Sequence, residues 1–256
     1  MKDIKLSPRL ESILGALGVV KTLADVGCDH GFISIAAVLR GRCENAIAMD
    51  INEGPLKSAK TNAELYGAAD AVNLRLSDGL EKLEPGEADG IIIAGMGGLL
   101  IRDILTRGQQ AAKAAKRIVL SPQSDIPKVR SYLLSNGFVI EDEECLIDEE
   151  KFYFIMVVRP DSETLRGAGE ENEKIDTEGS HCAAAKYPFG ELGINFGGIL
   201  LEKRHPILLK YLKKRLSQID SILSKDGLMG TPRYEELSSE KEMIERACEI
   251  LRMNSQ

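Results

Sequence analysis

Leu23-Ala24-Asp25-Val26-Gly27-Cys28-Asp29-His30-Gly31-Phe32-Ile33-Ser34-Ile35 is an apolar run, a short turn with glycines four residues apart, and a second apolar run at helical spacing. It reads as strand, tight loop and helix. A backbone that passes from strand to helix within a few residues needs glycine where φ is positive or where a ligand lies against the main chain, and Gly27 and Gly31 meet that need. The helix after Gly31 then aims its unsatisfied N–H groups and the positive end of its dipole at whatever fills the crevice.

Asp25 and Asp29 flank this turn and would repel a diphosphate, so the better guest is a cation. S-adenosylmethionine carries a sulfonium and an α-ammonium, and Asp-x-Gly-x-Asp-x-Gly is similar to the acidic glycine loop of class I methyltransferases. The competing reading is a plain strand-to-helix turn whose aspartates cap the helix.

Working outward, apolar runs alternate between strand and helix spacing: Thr22–Val26, helix 31–40, Ala46–Asp50, helix 54–67, Val72–Leu76, a loop, Gly90–Ala94, helix 98–107, Arg117–Ser121 and helix 126–136. Five such alternations predict an α/β, Rossmann-like, doubly wound parallel sheet with right-handed crossovers. After Gly137 the pattern changes, since Phe138–Ile147 and Lys151–Arg159 are strand-like with only Asp148-Glu149-Glu150 between them. An antiparallel hairpin therefore closes the sheet, an order similar to that of class I methyltransferases. Upstream, Ser7-Pro8-Arg9-Leu10 opens a helix with Ser7 as N-cap. Its apolar face, Leu10, Ile13, Leu14 and Leu17, should pack on the sheet edge before Gly18 ends it.

Residues 161–181 hold seven carboxylates against Arg166 and Lys174 and read as a loop or disordered linker. The division that follows is a catalytic domain over 1–160, a polar linker over 161–197 and a helical, coiled-coil-like domain over 198–256. Apolar positions at 201, 208, 212, 216, 219 and 223, then Leu237, Ile244, Cys248 and Leu251, fit two antiparallel helices joined at Lys225-Asp226-Gly227. Pro206 falls in a first turn or at a break. The first of these helices carries Lys203, Arg204, Lys210, Lys213, Lys214 and Arg215, either a solvated face or a docking surface for RNA phosphates.

The 256 residues carry a net charge of −7 and are 43% hydrophobic, enough for a sizeable core but not basic overall. No apolar run reaches the length of a membrane span and residues 1–5 lack a signal-type apolar stretch, so a cytoplasmic protein with no membrane partner is expected. The five cysteines are scattered, without a Cys-x-x-Cys pair or histidines at ligand spacing, which argues against disulfides and against a metal. Cys28 lies in the key loop, yet no histidine is identifiable as its partner, so it reads as a small turn residue.

Three further places carry candidate chemistry. Asp50, 19 residues beyond Gly31 and followed by Ile51, ends the second strand where a carboxylate meets ribose hydroxyls. Asp78 and Gly79 end the third strand, where Asp78 either accepts from an adenine amino group or forms an Asx-turn. Ala94-Gly95-Met96-Gly97-Gly98 ends the fourth strand, where donor and acceptor should meet. It lacks the Asn or Asp, prolines and aromatic residue that hold an exocyclic amine. Its glycines either admit a flat base with a ring-nitrogen acceptor or merely allow tight packing.

These residues together resemble the bacterial tRNA (adenine-22 N1)-methyltransferases. The likeness rests on Leu6-Ser7-Pro8-Arg9-Leu10, Ala24 to Gly31 with its Asp-His pair, Asn52-Glu53-Gly54-Pro55-Leu56, Ser77-Asp78-Gly79-Leu80 and Ala94 to Gly98. Phe196-Gly197 and Leu200-Leu201 add a likeness to the family's coiled-coil appendage. The resemblance implies methyl transfer from S-adenosylmethionine to N1 of a tRNA adenine. Asp25, Gly27, Asp29, Gly31, Asp50, Ile51, Asp78, Gly79, Gly95, Met96 and Gly97 would lie around the cofactor, Asp29 and His30 at the reaction, and Arg9 with the basic helix on the RNA. The family often has Gln-Pro and an amide after the fifth strand where this chain has Ser121-Pro122-Gln123, which speaks against a base contact by Gln123. Gly31-Phe32 also replaces a common Ala-Tyr. Another RNA base or a small molecule as acceptor, or a non-catalytic cofactor-binding module, are the rival readings. The oligomeric state is left open.

Overall fold

The computed structural model describes residues 4–161, 187–224 and 229–253. Its centre is a seven-stranded sheet in the order β3-β2-β1-β4-β5-β7-β6. The strands are β1 (Thr22–Val26), β2 (Asn45–Asp50), β3 (Val72–Leu76), β4 (Gly90–Met96), β5 (Arg117–Pro122), β6 (Phe138–Asp148) and β7 (Lys151–Pro160). β1 to β5 run parallel, while β7 enters antiparallel between β5 and β6. The expected hairpin is present, with its second strand, not its first, beside β5. In the β1 register Val26 stands opposite both Met49 and Ile93, so β1, β2 and β4 end along one line, where strand order reverses and an α/β sheet opens its crevice.

Alternate residues of each strand face opposite layers. Ala24, Val26, Ile91 and Ile93 pack under α4 (Gly98–Arg107), α5 (Gln109–Ala114) and α6 (Ile126–Ser135). Leu23, Ala46, Ala48 and Ile92 pack under α1 (Pro8–Leu17), α2 (Phe32–Leu39) and α3 (Glu53–Tyr66). Ser7 caps α1, its hydroxyl accepting from Leu10 N–H, with Pro8 in the first turn. α1 does not sit on the sheet edge as expected: it lies across the face formed by β4, β5, β7 and β6 and touches α2. Ile13, Leu14 and Leu17 are almost wholly buried, and a single edge strand offers too little apolar surface for three such side chains.

α5 was not predicted, because its sequence Gln-Gln-Ala-Ala-Lys-Ala carries little amphipathic signal. Within the segment 161–197, the described residues 187–197 are packed: Tyr187 is buried and Gly190–Phe196 forms α7. α8 (Gly198–Glu202) follows after Gly197 at a φ of 100°. The Tyr187 hydroxyl donates to Glu143 Oε2 at 2.6 Å and accepts from Gly198 N–H at 2.9 Å. Glu143 is in turn paired with Arg130 at 2.7 Å, and Arg130 donates to the carbonyls of Ile194 and Asn195. A buried ion pair of this kind is tolerable only when most of its remaining lone pairs and protons find partners: Tyr187 and Ile199 N–H serve Glu143 and the Ile194 and Asn195 carbonyls serve Arg130 Nη1, while Arg130 Nη2 is left without one among the described residues.

α9 (Pro206–Leu223) and α10 (Pro232–Arg252) pack side by side. Leu208, Leu212, Ile219, Leu237, Ile244 and Cys248 form their apolar seam, joined by Phe154 of β7. Arg215 grips Glu240 with two hydrogen bonds, and Lys241 reaches Asp220 at 2.7 Å. Pro206 lies in the first turn of α9 just after a break. The predicted turn at 225–227 and the acidic stretch from 162 lie outside the described residues.

Candidate active site

The loop after β1 is held by its backbone. Gly27 N–H and Cys28 N–H both donate to the Met49 carbonyl, and Gly31 N–H closes the turn on the Cys28 carbonyl at 2.7 Å. Gly27, Asp29 and Gly31 all have positive φ, at 74°, 51° and 73°. A side chain at Gly27 would collide with Met96 Cε at 2.1 Å, and one at Gly31 would meet Ala59 Cβ at 2.8 Å. Asp29 is the one non-glycine member of the three, in a conformation that aspartate tolerates better than most residues. That geometry turns its carboxylate outward: the side chain is 77% exposed, with His30 Nε2 3.6 Å away. The His30 ring lies 5.7 Å from that of Phe32.

Asp25 behaves differently. It shares a face with Leu23, so its side chain points under α2 and is almost completely buried. Oδ2 accepts from the Ser34 hydroxyl at 2.8 Å, and Ser34 N–H, in the first turn of α2, also donates to it. Burial raises its pKa to about 6, the Ser34 hydrogen bonds pull the other way, and the charge of Asp50 adds to the rise. Burial, together with Asp25 and Asp50, also pushes the Cys28 thiol well above its ordinary value, which removes it as a nucleophile.

Asp50 ends β2 with Oδ1 accepting from Asn52 N–H at 2.9 Å, and Ile51 beside it leaves 59% of its surface exposed. Asp78 is already engaged: Arg107 forks onto its two oxygens at 2.7 and 3.2 Å and holds its carboxyl below the usual range. Gly79, at a φ of 58°, is required by packing, since a side chain there would meet Ile104 at 2.8 Å.

At the end of β4 the glycines divide by role. Gly98 is needed for tight packing, because a side chain would strike the Ser124 carbonyl at 2.4 Å. Gly97 is the N-cap of α4. Gly95 forms a bulge against β5 at a φ of 80° and faces the Arg9 and Gln123 side chains, whose Nη1 and Nε2 are at ordinary contact distances of 3.8 and 3.9 Å from where its Cβ would stand. Met96 fills the space that Gly27 leaves.

The structure brings Arg9, Asp25, Gly27, Asp29, His30 and Gly95 around one cavity of about 280 Å³, together with Cys28, Phe32 and Gln123. Gly31, Ile51, Asp78, Gly79, Met96 and Gly97 are not on its wall, nor is Asp50, whose charge nevertheless acts on Asp25 and Cys28. The departure from the family pattern had counted against Gln123, yet its side chain is on the wall. Arg9 belongs here too: its guanidinium lies over the Tyr153 ring at 5.0 Å and its backbone N–H donates to Asp148 Oδ2. Tyr153 and Phe32 carried no signal in the sequence beyond ordinary aromatic positions.

The basic residues of the C-terminal helices fall into two groups. Lys203 pairs with Asp142 and Arg215 with Glu240, while Arg204 is exposed at a φ of 50°. Lys210, Lys213 and Lys214 are exposed, with no ion-pair partner among the described residues, and Lys214 Nζ is 5.6 Å from the Phe152 ring centre. Phe152 and Tyr153 are neighbours on β7, so this lysine group and Arg9 flank the same strand. Among the described residues no cluster of three or more His, Cys, Asp or Glu could hold a metal, and no helix is long and apolar enough to cross a membrane.

A profile described as a methyltransferase domain matches residues 6–156. The chain is 29% identical to the tRNA (adenine(22)-N(1))-methyltransferase of Bacillus subtilis over 254 residues, 97% of this chain and 99% of the relative. The crystal structure of the B. subtilis m1A22 tRNA methyltransferase TrmK aligns with a TM-score of 0.76 at 28% identity, covering 96% of this chain and 100% of that one. Streptococcus pneumoniae Sp1610 in complex with S-adenosyl-L-methionine aligns at 0.77 and 27% identity, covering 95% and 100%.

Proposed function

The chain belongs to the methyltransferase-domain family, and from that premise we propose that it transfers a methyl group from S-adenosylmethionine to N1 of adenine 22 in tRNA. The observation that carries this reading is the end-to-end likeness to the B. subtilis enzyme, which includes α9 and α10 as well as the catalytic sheet. The chemistry of the cavity agrees with a cationic methyl donor. Asp25 and Asp29 on the wall and Asp50 close behind supply negative charge, Gly27 lets the donor lie against the backbone while Gly31 lets α3 pack against the loop, and Asp50 with the exposed Ile51 offers a place for the nucleoside end.

When bound, the donor supplies a sulfonium methyl that N1 takes through its own lone pair, the C–S electron pair leaving with sulfur. No proton has to be removed first. What helps is positioning, together with negative charge beside a ring that becomes cationic. Asp29, exposed at the cavity rim, supplies that charge, and His30 beside it orients the carboxylate or meets the base. Gly95 admits the flat ring. N1 is tied up when adenine is paired, so the nucleotide enters unpaired and flipped.

Arg9 stands where a phosphate flanking the flipped nucleotide would lie, while Lys210, Lys213 and Lys214 are the phosphate contacts of the helical arm. Asp78, held by Arg107, shapes the adenine end of the cofactor site. Catalytic sheet and helical arm act as two domains of one enzyme, and its substrate places it in the cytoplasm. Incubation with S-adenosylmethionine and unmodified tRNA, followed by digestion and nucleoside mass spectrometry, should yield N1-methyladenosine at position 22. Methylation of a different nucleoside, or none with the cofactor demonstrably bound, would remove this acceptor.

A further inference from the structure

We infer that Gln123 is the residue that selects adenine, by gripping N6 and N7 of the flipped base and so leaving N1 free for methylation. This assignment rests on the function proposed above and names how its acceptor is recognised. Three observations lead to it. The Gln123 side chain is on the wall of the cavity that holds Asp29 and Gly95. Its amide nitrogen is 3.9 Å from where a Gly95 side chain would begin, so nothing from the bulge separates it from the space a base would fill. The amide is also uncommitted, with no side-chain hydrogen bond to any described residue. The backbone beneath it is fixed by Gln123 N–H donating to the Met96 carbonyl at 2.9 Å.

The chemistry narrows the choice of edge. An enzyme that alkylates N1 cannot also recognise adenine by a hydrogen bond to N1. The pair left for a side-chain amide is the N6 amino group and N7, which the amide oxygen and nitrogen match as acceptor and donor. Guanine presents two acceptors, O6 and N7, on that edge, so the amide cannot satisfy both. A guanine N1 also carries a proton and lacks the free lone pair. Arg9 Nη1 comes as near to the bulge, 3.8 Å from the same point, but a guanidinium has donors only and cannot accept from the N6 amino group.

The decisive experiment pairs a one-atom change in the RNA with a change in the protein. Wild type and Gln123→Ala are assayed at saturating S-adenosylmethionine on tRNA carrying adenosine or 7-deazaadenosine at position 22, and the transfer rate at limiting RNA is read. Wild type should lose about tenfold on the 7-deaza substrate, whereas Gln123→Ala, already slower on adenosine by about tenfold or more, should show almost no further loss. Gln123→Glu, which cannot donate to N7, should behave like Gln123→Ala, and calorimetry should give all three proteins the same cofactor affinity. Equal 7-deaza penalties in wild type and variant, or no penalty in wild type, would overturn the assignment while leaving the methyl-transfer function intact. No N1-methyladenosine from wild type would overturn both.

Discussion

The two halves of the cavity are built by opposite means. On the cofactor side, geometry is carried by main chain: three left-handed positions at alternate residues, glycines in contact with Met96 and Ala59, and a carboxylate buried under α2. On the acceptor side it is carried by side chains from separate elements: Arg9 of α1, seated over Tyr153 of β7, and Gln123 after β5, meeting at the bulge of Gly95. The cofactor half is held by main-chain hydrogen bonds, and in the acceptor half the Gln123 amide is uncommitted among the described residues. A donor used in every turnover suits a preformed site, whereas a base that must be extruded from RNA suits groups free to close on it.

The contrast breaks most directly at Gly27. Gly27→Val adds a side chain at positive φ into the Met96 methyl, so cofactor affinity measured by calorimetry should fall by more than about 100-fold. Adding Met96→Ala should recover only part, because it relieves the clash and not the backbone; full recovery would mean that the left-handed turn is unimportant.

Asp29→Asn comes next. If its carboxylate favours the charged product ring, kcat at saturating cofactor should drop about tenfold to 100-fold. An unchanged kcat with a raised KM for the cofactor would assign Asp29 to cofactor binding alone.

Asp25 sharpens the comparison through pH. Its carboxyl is raised to about 6 in the folded chain, against about 3.9 when unfolded. The folded chain therefore holds the proton more tightly. The stabilisation is complete below about pH 4 and is lost as pH rises through 6. Asp25→Asn, which is never charged, should make the cofactor-free protein more stable at pH 7 by on the order of 2 kcal/mol in denaturant unfolding. A cationic donor reverses the preference, because it favours ionised Asp25. Wild-type cofactor affinity should thus rise about tenfold from pH 5 to pH 7, and a flat profile in wild type would show that Asp25 does not sense the donor's charge.

The smallest effect belongs to the helical arm. Replacing Lys210, Lys213 and Lys214 by Ala should leave cofactor affinity untouched and weaken tRNA binding several-fold, with the salt dependence of log K shallower by about 2 units. An unaltered salt slope would return these lysines to the role of a solvated face.

Legibility in the sequence follows the same division. The strand-to-helix turn at Gly27 and Gly31, the five alternations and the closing hairpin are local periodicities, readable because side-chain spacing and positive-φ demands act between near neighbours. α5 and the short helices α7 and α8 escaped because their few residues carry almost no period. Asp25 and Asp78 show the limit within the site: one was legible as a carboxylate flanking the glycine turn and the other as a strand-end carboxylate, but not that the first turns under α2 onto Ser34 or that Arg107 occupies the second.

By itself the sequence determined the sheet's order of elements, the acidic glycine loop and the amphipathic pair at the C-terminus, since each is written in neighbouring residues. Only the tertiary structure decided that α1 crosses the sheet face, that Arg9, Gly95 and Gln123 share one cavity, and that Tyr153 lies beneath the Arg9 guanidinium. Residues so far apart in the chain meet only when the sheet is assembled, and no spacing rule links them beforehand.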